Sequence, residues 1–431
     1  MKIAESINLF LIIILSLILI DCVSKEPFPT FSESEQSDTS YIQITPNWTK
    51  SEYNFASPKD LLIGEDDYLF IADSGNGRIV VLDGAGNQIQ SDEYGNDFTA
   101  LANLDVPNVG IIQPLRLAQD TKMNLLIANG SNKIFAWNQY FSNIGIDSIA
   151  VSVILSNINT DDQFELFHID SLTIYASNGY NIIQINFEKD ENRINEILAP
   201  HPFFDGEDIV NILNDEYANP RNSKIIDLAP FGQDYKAGLY LMDARYNRII
   251  RGYYYIKNVL LLSDGAIVFD YGCWFYDVVT GQGNGAGYVM EPKSMNIDES
   301  GNLYYTQTGG NFWCHGLSSG SYRTLFDPAT DDIVNARRYG LAADIWVDSR
   351  GTIYVADAGL NYIHTFNSVG AFIRNVGTEV VDSLEVGYLL NRPESVIFNN
   401  NILYVADTGN SQIVRFQYVI LAEQSASGNS D

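Results

Sequence analysis

The sequence predicts an all-β protein assembled from copies of one unit, and three observations carry that prediction. A nine-residue motif recurs along the chain, a second element precedes it at a near-constant offset, and helical periodicity is absent beyond the N-terminal segment. The motif reads Ile71-Ala72-Asp73-Ser74-Gly75-Asn76-Gly77-Arg78-Ile79. It returns as Val355-Ala356-Asp357-Ala358-Gly359-Leu360-Asn361-Tyr362-Ile363 and as Val405-Ala406-Asp407-Thr408-Gly409-Asn410-Ser411-Gln412-Ile413. Weaker copies begin at Ile127, Tyr175, Met242 and Thr306, which brings the count to seven.

The preceding element fixes what each unit is made of. Pro58, Pro114 and Pro292 lie fourteen residues before Ala72, Ala128 and Thr306, Ala342 keeps that offset from Ala356, and Pro393 sits thirteen before Ala406. A short apolar run follows each, such as Leu61-Leu62-Ile63, and then a turn such as Asp298-Glu299-Ser300-Gly301-Asn302 or Asp348-Ser349-Arg350-Gly351. Such turns supply positive φ and local Asx bonds, and β-branched and aromatic runs such as Thr352-Ile353-Tyr354-Val355 favour extended chain. The unit is therefore strand, turn, strand, turn, strand. A unit of about 50 to 65 residues cannot bury both faces of its sheet alone, so it must stack on its copies. Radial stacking gives a β-propeller, with seven blades expected and six the alternative. The last copy lacks an outer strand, and Tyr41-Ile42-Gln43-Ile44-Thr45 ahead of the first is positioned to supply it, closing the ring by pairing the two chain ends.

The succession of Pro, apolar strand, Asp/Gly turn, Ala-Asp, Gly-Asn turn and basic-apolar strand resembles the NHL repeat over residues 57–419, most closely in copies one, six and seven. The resemblance implies a propeller and, through it, a binding module. It extends to amidating lyases and, more distantly, to calcium-dependent lactonases and streptogramin lyase, so a metal-dependent lyase or lactonase using the central channel is the alternative. A structural subunit of an envelope complex is a third.

Charge excludes one class of partner. With 25 Lys plus Arg against 54 Asp plus Glu the net charge is -29, which opposes nucleic acid and anionic lipid headgroups. Export is expected from the first residues: Lys2 precedes the apolar run Leu9–Ile20, too short to span a bilayer comfortably and fitting a signal peptide over 1–21. Leu19-Ile20-Asp21-Cys22 resembles a bacterial lipobox, with Asp21 standing where a small residue is usual, and makes Cys22 the lipidation site. Residues 22–40 read as a flexible tether, 41–419 as the propeller and 420–431 as a polar tail. The expectation is a monomer in the periplasm or on the outer membrane, meeting the membrane only through its lipid. Cys273 and Cys314 either pair, as export permits, or stay as two buried thiols.

Two sets of residues are candidates for function. Asp73, Asp243, Asp357 and Asp407 repeat at one position, and a carboxylate where a strand enters a tight turn serves that turn by accepting its backbone N–H groups. Polar residues that break the repeat near the start of the inner strands are the better ligand candidates: Asp60, Arg116, Asp227, Ser294, Asp344 and Ser395, with His168, Asn296 and Trp346 nearby in the pattern. They would line one mouth of the channel and take a protein or small ligand there, or bond one blade to the next. No catalytic residue emerges, because the four His occupy unrelated positions and form no zinc or Ser/His/Asp pattern. A Ca²⁺ site from Asp60, Asp227 and Asp344 needs only hard oxygens and is the one cofactor kept in view. Gly281–Gly287 lacks the Lys-Ser/Thr and helix of a phosphate loop and reads as a mobile loop.

Overall fold

In the computed structural model the described residues are 39–92, 97–106, 109–121, 123–139, 223–232, 238–261, 267–377 and 390–420, with strand segments at 166–169, 174–176, 181–182, 194–196 and 199–200. The expected leader and Cys22 lie outside them, as do the tether and polar tail apart from Thr39, Ser40 and Ile420, which belong to strands. The chain divides into a unit of residues 1–40 and 419–431, described only at the ends of two strands, and a compact unit Tyr41–Tyr418.

The compact unit is almost entirely antiparallel sheet. Its six inner strands are Pro58–Ile63, Arg116–Gln119, Ile225–Phe231, Pro292–Ile297, Ala342–Val347 and Pro393–Asn399, each the edge of its own sheet. Each touches the next in chain order and the last touches the first, which closes the cycle of a β-propeller. We number the sheets one to six in that order. Between them lie apolar clusters such as Phe70, Leu101, Phe135 and Trp137 between sheets one and two, and Tyr354, Val396, Leu403 and Val414 between sheets five and six. Residues of successive strand positions point to opposite faces, so each sheet buries one set against either neighbour, as the uninterrupted burial of Leu69–Asp73 and Ile353–Asp357 requires.

Among the described residues six inner strands form the cycle, whereas seven motifs are legible, and the third copy is where the two differ. Strands Leu166–Ile169, Ile174–Ala176 and Asn181–Ile182 form a separate three-stranded sheet. Sheet two resumes only afterwards, when Ile194–Glu196 pairs with Ile134–Asn138 as its outer strand. Copy three is thus carried within a long insertion between the third and fourth strands of sheet two, and the inner strands of sheets two and three touch each other directly.

The chain ends pair as the sequence predicts. Thr39–Trp48 is the outer strand of sheet six, beside Gln412–Ile420. Side chains fix this strand as well: Arg415 donates to the Pro46 carbonyl at 2.8 Å and stacks 4.2 Å from the Trp48 ring, and Tyr41 shares a hydroxyl bond of 3.0 Å with Tyr354 of sheet five.

Two local devices recur. The glycine of the Asp-x-Gly turn is required by close approach: a Cβ on Gly75 would sit 2.1 Å from the Ala56 carbonyl oxygen, and Gly359 and Gly409 press equally on Gly340 and Asn391. Each of these turns is pushed against the chain that leads into the inner strand of its own sheet. The second device is a β-bulge in five inner strands, between Pro58 and Asp60, Ile225 and Asp227, Pro292 and Ser294, Ala342 and Asp344, and Pro393 and Ser395. The extra residue of a bulge leaves the ladder and re-aims its neighbours. Here it frees the carbonyls of residues such as Lys59, Ala343 and Glu394.

Candidate functional site

Five bulges, together with the unbulged start of Arg116–Gln119, bring one residue of every inner strand into a buried ring: Asp60, Arg116, Asp227, Ser294, Asp344 and Ser395. Their bonds run from sheet to sheet. Asp60 accepts from Leu117 N at 2.7 Å and from the Ser395 hydroxyl at 2.9 Å. Asp227 accepts from Met295 N at 2.7 Å and from its neighbour Leu228 N at 2.7 Å. Asp344 accepts from Val396 N at 2.8 Å and from the Ser294 hydroxyl, while Ser395 accepts from Leu61 N at 3.2 Å. All six carboxylate oxygens therefore have a donor, and all but one of those donors belong to another sheet.

Arg116 crosses the middle. Its guanidinium donates to the bulge carbonyls Lys59 O at 3.0 Å, Ala343 O at 2.9 Å and Glu394 O at 3.4 Å, and to Leu115 O at 3.1 Å, with Nε 3.8 Å from Asp227. One side chain of sheet two thus reaches sheets one, three, five and six. Burial alone would lower its pKa, but Asp60, Asp344, Asp227 and Glu394 together outweigh it and hold the guanidinium charged. Burial raises the carboxyl of Asp60 to about 8 against the pull of Arg116, with Asp344 and Asp227 adding to the rise. Burial likewise raises Asp227 to about 7, again opposed by Arg116.

This arrangement of side chains does not fit the Ca²⁺ ion that the sequence kept in view. A calcium site needs six to eight oxygens turned toward one point, whereas here every carboxylate oxygen faces a donor and the central place holds a guanidinium. Among the described residues no group of three or more His, Cys, Asp or Glu is placed to hold a metal.

The other predicted residues separate from the ring. Asn296 accepts from Val347 N at 3.2 Å, tying sheet four to sheet five. The Trp346 indole packs between sheets and its Nε1 is buried with no partner. His168 pairs with Tyr175 in the separate sheet of copy three, off the inner strands, and its side chain lies outside the described residues. The repeated carboxylates are fully buried. Asp73 accepts from Ala56 N at 2.7 Å, Asp243 from Lys224 N at 2.9 Å, Asp357 from Gly340 N and Leu341 N at 2.8 Å, and Asp407 from Asn391 N at 2.6 Å. Each also binds the outgoing strand, through Arg78, Arg248, His364 or Gln412.

Two further readings concern Cys314, for which pairing and a buried thiol were both open, and the glycine-rich loop. Cys314 is a free thiol, sealed at the seam of sheets four and five among Phe326, Tyr339 and Phe366, where burial raises it to about 12; it is not paired with Cys273. In the Gly281–Gly287 loop Thr280 donates to Gly287 O at 2.6 Å and Gly287 N donates to His315 Nδ1 at 3.2 Å.

Sequence reasoning passed over the collar above the ring. Lys59 is paired with Glu394, and Arg392 reaches the same carboxylate at 2.6 Å, so sheets one and six are joined by charge at the mouth. The available signal was position: Lys59 and Glu394 each follow the proline of their unit.

No protein-family model and no curated protein sequence matches the chain. Solved structures do resemble it. Virginiamycin B lyase from Staphylococcus aureus aligns at 12% identity and a TM-score of 0.44, covering 89% of this chain and 100% of that one. A gluconolactonase from Xanthomonas campestris aligns at 12% and 0.43, covering 88% and 98%. The calcium-binding protein regucalcin from Agrobacterium tumefaciens aligns at 9% and 0.44, covering 87% and 95%. At these identities and TM-scores nothing about this chain is argued from the likeness, and the chemistry named for those proteins is theirs.

Proposed function

We propose that this chain is an exported, lipid-anchored propeller of the NHL type that binds a protein or small ligand through the face on which its inner strands begin, without catalysis of its own. One observation carries the reading. The ring where a channel metal or catalytic base would sit has its oxygens filled by neighbouring sheets and its centre crossed by Arg116. A substrate has no free carboxylate oxygen to meet at that level, so recognition falls to the collar and the loops around it. A lipid on Cys22 would hold the propeller at a membrane surface.

Elemental analysis of purified residues 23–431, with melting curves in EDTA and in added Ca²⁺ or Zn²⁺, tests the central claim. No stoichiometric metal and no change of midpoint is expected. One bound metal with a raised midpoint, abolished in Asp60→Asn, would overturn the reading in favour of a metal-dependent lyase or lactonase. The anchor is tested by palmitate labelling, where label persisting in Cys22→Ser ends that part of the proposal.

A further inference from the structure

The ring and its collar carry an unbalanced charge. Asp60, Asp227, Asp344 and Glu394 face Arg116, Lys59 and Arg392, four acids against three cations. The remaining inner strand contributes only Ser294 to the ring, and Lys293 beside it forms no ion pair with these acids among the described residues. A buried surplus charge is expensive, and a carboxylate in that position takes up a proton instead.

Hydrogen bonding narrows the choice to Asp60 and Asp344. Both oxygens of Asp227 accept backbone N–H groups, from Leu228 and Met295, and a protonated carboxyl would set its hydroxyl against a donor that cannot turn. Asp60 and Asp344 each have one backbone N–H and one serine hydroxyl. A hydroxyl holds one donor and two acceptor sites, so it can reverse its role. Ser395 joins Asp60 at the seam of sheets one and six, where Leu61 N also bonds Ser395 and Lys59 meets Glu394.

We propose that the ring binds one proton, held on Asp60 and donated to Ser395, and that losing it makes the seam between the first and last sheets sensitive to pH. The burial that lifts Asp60 to about 8 agrees with this placement. Asp227 is lifted as well, to about 7, yet its fixed N–H partners oppose a proton there. The sign follows from linkage: a carboxyl raised on folding stabilises the native state fully at acid pH and loses that contribution as pH rises toward its folded value.

The test is the melting midpoint from about pH 5 to about pH 9 in EDTA, for the wild type and for Asp60→Asn, whose amide copies the protonated acid. The wild type is expected to lose a few degrees across this range, while Asp60→Asn stays level and melts above the wild type at the alkaline end. Parallel curves would overturn the proposal. Infrared spectroscopy of the wild type supplies a readout that no variant's folding can obscure: a protonated carboxylic acid band at neutral pH, lost at the alkaline end. Absence of that band at neutral pH also overturns it.

Discussion

The turn carboxylates and the ring carboxylates are the same residue type, both buried, and their surroundings treat them in opposite ways. Asp73, Asp243, Asp357 and Asp407 bond within their own sheet, to the chain leading into the inner strand and to the outgoing strand. Asp60, Asp227 and Asp344 bond to neighbouring sheets and share one guanidinium. A residue kept in most copies solves a problem that most copies have, the closing of a tight turn. A residue that varies from copy to copy solves a problem of the ring, how unlike neighbours fit around one axis. Both classes spend their hydrogen bonds on structure. Symmetry breaking at the channel is therefore not by itself a sign of ligand binding in this molecule.

Arg116→Met breaks the comparison most severely. It leaves three buried carboxylates without their common cation, and removing one partner of a buried ion pair typically costs about 3–5 kcal/mol. Urea or thermal unfolding of the purified variant checks this, and a loss under about 1 kcal/mol would sink the view that Arg116 braces the ring. Deleting residues 41–48 comes next. It removes the outer strand of sheet six together with the buried Trp48, for an expected fall of roughly 5–10 °C in melting midpoint. An unchanged midpoint would mean that pairing of the chain ends does not hold the ring closed.

Much of this was legible before any coordinates. Repeats are visible because each copy must solve the same turn, so Asp73, Gly75 and their equivalents stand out, and so does the missing outer strand that Tyr41–Thr45 fills. The ring residues were legible as positions, since the offset from each proline, or from Ala342 in its place, picks out Asp60, Ser294, Asp344 and Ser395. Their bonding was not, because it depends on which strands become neighbours and on a bulge that no single residue type announces. Seven motifs are legible where the described residues show a cycle of six inner strands: Tyr175–Ile182 reads locally as a blade motif, and its strands form a sheet of their own between two strands of sheet two, Ile134–Asn138 and Ile194–Glu196. Arg116 as a brace was hidden too, since its acceptors are backbone carbonyls from three other sheets.

Within the turn class the partner sets the protonation behaviour, which sharpens the comparison. At Asp357 burial works upward, but His364 and the N–H groups of Leu341, Gly340 and Leu360 outweigh it and hold the carboxyl below its ordinary value. At Asp407 the partners are the neutral Asn410 and Gln412, and burial wins, raising it. A depressed carboxyl stabilises the fold above its unfolded value and loses that contribution as pH falls through the folded one. Acid melting between about pH 5 and about pH 3 should therefore be less steep in Asp357→Asn than in the wild type, and unchanged steepness would contradict the assignment.

The smallest effect belongs to the seam between sheets five and six. Tyr41 reaches from the N-terminal strand to the Tyr354 hydroxyl, which also touches Arg350 and Asp348, and burial raises Tyr41 to about 12 despite that bond. Tyr41→Phe keeps the ring packed against Tyr418, 5.3 Å away, and removes only the hydroxyl bond. A net hydrogen bond contributes about 1 kcal/mol, so a fall of roughly 2 °C is expected for a unit of this size. Tyr354 keeps its bonds to Asp348 and Arg350 in that variant, so no buried hydroxyl is left stranded. A loss as large as that of the strand deletion would show that the N-terminal strand is held by this one contact, whereas a small loss assigns its hold to the backbone ladder and to Trp48.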